Sequence, residues 1–108
     1  MVLVSLEPRV ASATFGSLAV ALEGVEEGAV SAGLPRDAAR GFARQALLGT
    51  AALMESGTES PADLKDRVAS PGGTTIAGLA VIEEEGVRGA FIRAVQTAVV
   101  GAEEGSDK

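Results

Sequence analysis

A chain of 108 residues is one domain, and its net charge of -6 argues against a nucleic-acid partner, since phosphate backbones call for clustered Lys and Arg. It holds no Cys and no His, which removes disulfides, thiol nucleophiles, Ser-His-Asp triads and the usual zinc sites. Three Phe are its only aromatic residues, so Ala, Val, Leu and Gly must supply the core; such small side chains fill little volume, which points to a partner.

Residues 1–10 read as an N-terminal arm or the remnant of an interdomain connection, because Pro8 disfavours helix at Glu7. The domain itself is expected over residues 11–104. From Ala11 to Ala32 polar positions are few, and between Phe15 and Leu22 the chain is apolar on nearly every side. A helix apolar all round is a buried one, and a single small domain can hardly cover it. A second copy is expected to cover the remaining face. Gly33-Leu34-Pro35 breaks the helix, with Gly33 suited to a left-handed C-cap and Pro35 to the first turn of the next helix.

That next helix is expected from Pro35 to Glu55. Arg36, Arg40 and Arg44 recur along one stripe; a solvated helix face or ion pairs with Glu residues explain it better than an anion track does. Gly57 ends the helix. Ser60-Pro61-Ala62-Asp63 has the spacing of a capping box, so a short helix should follow to Ala69. A fourth helix is expected from Thr75 to Glu85, ended by Gly86, and a last one from Val87 to Ala102. Residues 105–108 read as a frayed tail. Strict alternation of apolar and polar residues is missing throughout, so the fold class is all-α. Glu83-Glu84-Glu85 would chelate a metal poorly, because adjacent carboxylates on one helix diverge; Arg88 is the expected partner, and no metal site is expected. No apolar run reaches the roughly 18–20 residues that span a bilayer. Residues 1–6 lack the basic start of a signal peptide, so no membrane association is expected, and the expected location is the cytoplasm.

Chemistry concentrates in Ser70-Pro71-Gly72-Gly73-Thr74-Thr75. No helix runs through Ser-Pro-Gly-Gly, and a new apolar segment begins directly after it. The amides of Gly73, Thr74 and Thr75 therefore open a helix, and with the helix dipole they favour an anion. The glycines let a ligand approach the main chain, and the threonines add hydroxyls. On spacing alone, a Thr-capped interhelical turn explains the loop equally well or better. Its glycines do not follow a strand and do not fit the G-x-G-x-x-G dinucleotide pattern, so no cofactor is expected in this chain.

The loop stands among further blocks: Leu64-Lys65-Asp66-Arg67-Val68-Ala69 before it, Leu79-Ala80-Val81-Ile82 after it, and upstream Gly33-Leu34-Pro35-Arg36 and Gln45-Ala46-Leu47-Leu48-Gly49-Thr50. In this order and spacing they resemble the C-terminal domain of pyrroline-5-carboxylate reductases, from about Ala11 to Glu104. The resemblance implies an interleaved helical dimerisation domain of about five helices, with no Rossmann domain in this chain. It implies a homodimer, NADPH or NADH for a complete enzyme, and a small carboxylate ligand. By position, Gly72, Gly73 and Thr74 would offer loop amides, Thr75 would orient the substrate near the ring nitrogen, and Ser70 would shape the loop. One stretch departs from the family. Where it usually opens its first long helix with Ser-Gly-Pro-Ala-Tyr, this chain has Ala13-Thr14-Phe15-Gly16-Ser17. Two readings follow. In one, the chain is the dimerisation and substrate-carboxylate-binding half of a reductase that makes proline from 1-pyrroline-5-carboxylate, inactive by itself. In the other, it is a stand-alone helical homodimer, an interaction module without catalysis.

Overall fold

The computed structural model describes residues 2–57, 59–69 and 73–105. Five helices follow one another: α1 Val2–Ser31, α2 Arg36–Ser56, α3 Pro61–Val68, α4 Thr74–Glu84 and α5 Val87–Gly105. Among the described residues there is no strand. The all-α class expected from the missing alternation is the observed one.

The chain divides into two units. One comprises Met1–Ala21 and Ile82–Lys108, the other Leu22–Val81. Helices α1 and α4 contribute to both, so neither unit is a continuous stretch of chain that ends where an element ends.

The breaks between helices follow local chemistry. At the end of α1, Gly33 takes φ 121, a region costly for any residue with a Cβ. Its N–H donates to the Val30 carbonyl at 3.0 Å, and the Leu34 N–H donates to the Ala29 carbonyl at 3.0 Å. These two bonds make a Schellman cap, which satisfies carbonyls the helix end would leave open. Pro35 is the N-cap of α2, not its first helical residue, one position from the expected place. Having no N–H, it gives up nothing at that position. At α3 the expected capping box is present: the Asp63 N–H donates to Ser60 Oγ at 3.2 Å, and the Ser60 N–H donates to Asp63 Oδ2 at 3.1 Å. Gly86, at φ 70, separates α4 from α5.

Most boundaries fall within one residue of the sequence reading, and two differ by more. The helix expected from Ala11 begins at Val2, and Pro8 lies inside it, so residues 2–10 are helical. A proline near a helix start removes one bond to the carbonyl four residues earlier, and the turns beyond it can still propagate. At the other end α5 continues to Gly105, past the expected Ala102 and into the residues read as tail; the rest of that tail, residues 106–108, lies outside the described residues.

Very little of this chain is inside. Among the described hydrophobic residues only Ala39, Ala43 and Leu64 are buried, all in the unit Leu22–Val81. Fifteen large apolar side chains are exposed, among them Phe15 at 76% and Phe42 at 67%.

Candidate functional site

Helix α4 begins at Thr74, so Gly73 stands immediately before it and Thr75 is its second residue. The N–H groups of the first turn have no partner within their own helix, and they point back toward the loop. Gly73 is half-buried, while Thr74 and Thr75 are exposed. No other described residue engages either Thr hydroxyl. The structure thus brings Gly73, Thr74 and Thr75 together at a helix start. Ser70 and Gly72, the other candidate loop residues, lie outside the described residues, as does Pro71.

No basic side chain borders this helix start in sequence. The nearest cation on the preceding helix, Arg67, is held by Glu59 through a two-pronged pair, Nε to Oε2 at 2.7 Å and Nη2 to Oε1 at 2.8 Å. That grip raises the Arg67 pKa above its ordinary value, through the hydrogen bond first and the neighbouring charge second. An anion at the loop would therefore rely on amides and hydroxyls, whose partial charges suit a single carboxylate.

The arginine stripe on α2 resolves as ion pairing in two of its three members. Arg36 Nη1 lies 2.7 Å from Glu27 Oε2, and Arg40 Nε lies 4.0 Å from Glu26 Oε1. Hydrogen bonding to Arg36, reinforced by its charge, lowers the Glu27 pKa. Arg88 meets Glu83 as expected, Nη2 to Oε2 at 2.6 Å. Among the described residues, no group of three or more acidic side chains is placed to hold a metal ion. No described helix is long and apolar enough to cross a membrane. Nor does any described strand lead into a glycine turn, so these residues do not make the strand–turn–helix cradle that fits a dinucleotide.

The sequence did not mark the grooves. In the unit Leu22–Val81, helices α2, α3 and α4 border an apolar groove of about 350 Å³ whose walls include Leu53, Met54, Leu64, Val68 and Leu79. In the other unit, Thr14, Ser17 and Leu18 of α1 face Phe91 and Val95 of α5 across about 210 Å³. Thr14 and Ser17 come from the stretch that departs from the family pattern. The available signal was the part of α1 from Phe15 to Leu22, apolar on nearly every side; on α2, Phe42, Leu48 and Leu53 are all exposed while Ala39 and Ala43 are buried, so apolar residues occupy more than one face.

An all-helical chain with more large apolar side chains outside than within has the build of an association domain. The model of the pyrroline-5-carboxylate reductase dimerisation family matches residues 8–105, and the chain belongs to that family. It is 52% identical over 81 residues to a pyrroline-5-carboxylate reductase of Synechocystis sp., covering 75% of this chain and 30% of the relative. It is 54% identical over 84 residues to a pyrroline-5-carboxylate reductase of Lophium arboricola, covering 78% of this chain and 26% of the relative. Pyrroline-5-carboxylate reductase 3 of Rattus norvegicus is 43% identical over 86 residues, covering 80% and 31%. The chain thus spans less than a third of the length of these relatives.

Proposed function

We propose that this chain is the self-associating, substrate-facing part of a pyrroline-5-carboxylate reductase. Two copies join through the apolar helix faces that each leaves open. The carrying observation is the contrast between three buried and fifteen exposed large or core apolar residues. Covering a Leu, Ile, Val or Phe side chain fully is worth about 1.5–3 kcal/mol. Fifteen of them, each roughly half open, represent on the order of 10–20 kcal/mol of gross driving force. That is enough to offset an association cost of roughly 4–15 kcal/mol.

In a complete reductase, the loop ending at Gly73-Thr74-Thr75 receives the carboxylate of 1-pyrroline-5-carboxylate. The first-turn amides of α4 hold its oxygens, and the Thr75 hydroxyl orients the ring for reduction to proline. The open helix start and the unengaged hydroxyls support this reading. NADPH or NADH would be bound by residues outside this domain. Sedimentation equilibrium of the 108-residue chain tests the association: a dimer is expected, with no folded monomer at micromolar concentration. A stable, helical monomer there would overturn it.

A further inference from the structure

We draw no further inference here: the strongest candidate, the apolar groove bordered by α2, α3 and α4 and walled by Leu53, Met54, Leu64 and Val68, lies open with nothing in the structure to show what covers it, and a second copy of this chain on it would restate the dimerisation already proposed.

Discussion

Phe42→Ala separates a solvated α2 face from one covered by a second copy. Phe42 lies in the first half of α2 and is 67% exposed. A Phe side chain presents roughly 200 Å². About 130 Å² therefore stays open, worth about 3 kcal/mol if a partner covers it. A symmetric dimer buries two copies, so the gross loss approaches about 6 kcal/mol; the β-carbon that Ala keeps brings it to roughly 4. That is close to a thousandfold in Kd, at about 1.4 kcal/mol per factor of ten. If the face is simply solvated, the sign reverses. Ala is the better helix former by up to about 0.7 kcal/mol, so the variant would be slightly more stable. Sedimentation equilibrium over a range of concentrations reads the Kd, and circular dichroism checks that helix content is kept. A helical variant whose Kd stays within about threefold of the parent would refute the assignment of this face to the interface.

Ser60→Ala removes one half of the capping box and should lower unfolding free energy by about 1 kcal/mol per protomer, read from urea unfolding, with Ser60→Thr recovering most of it. Unchanged stability would mean the box contributes nothing. In a complete reductase built around this chain, Thr75→Val should raise KM for 1-pyrroline-5-carboxylate by about two- to tenfold, the loss of one hydrogen bond, while dimerisation and helix content hold. Unfolding with no separate effect on substrate would make the hydroxyl a structural cap instead. The Glu27–Arg36 pair lowers the folded-state pKa of Glu27, so its contribution is present above the ordinary glutamate range and is lost as pH falls through the lowered value. Arg36→Gln should flatten that acid limb of the stability profile, and so should high salt, since both groups are exposed. An acid limb insensitive to both would show that other carboxylates set it.

Punctuation was the legible part of this sequence. Gly33-Leu34-Pro35, Ser60–Asp63 and Gly86 act through bonds within a few residues of themselves, so each could be placed from its own chemistry. Pro8 misled because its local preference competes with the propagation of a long helix, and the helix prevailed. The Arg88–Glu83 and Arg36–Glu27 pairs were readable because charge and proximity along the chain coincide. The grooves were not, since their walls come from two or three helices each and depend on how those helices pack. For the loop, the residue types pointed to an anion and the family blocks narrowed it to a carboxylate. The geometry adds that α4 opens at Thr74, with both hydroxyls unengaged by any other described residue.

A core of two alanines and one leucine among the described residues also sets a clock. Under the association proposed here, a newly made copy gains its stability only by meeting another. At about 1 µM and association rate constants of roughly 10⁵–10⁶ M⁻¹s⁻¹, that meeting takes on the order of 1–10 s. Until then Phe15, Phe42 and their apolar neighbours remain available to proteases and to other unfinished chains. The steady-state amount of the protein would then fall faster than in proportion to its rate of synthesis, because the escape from that exposed state is second order in chain concentration.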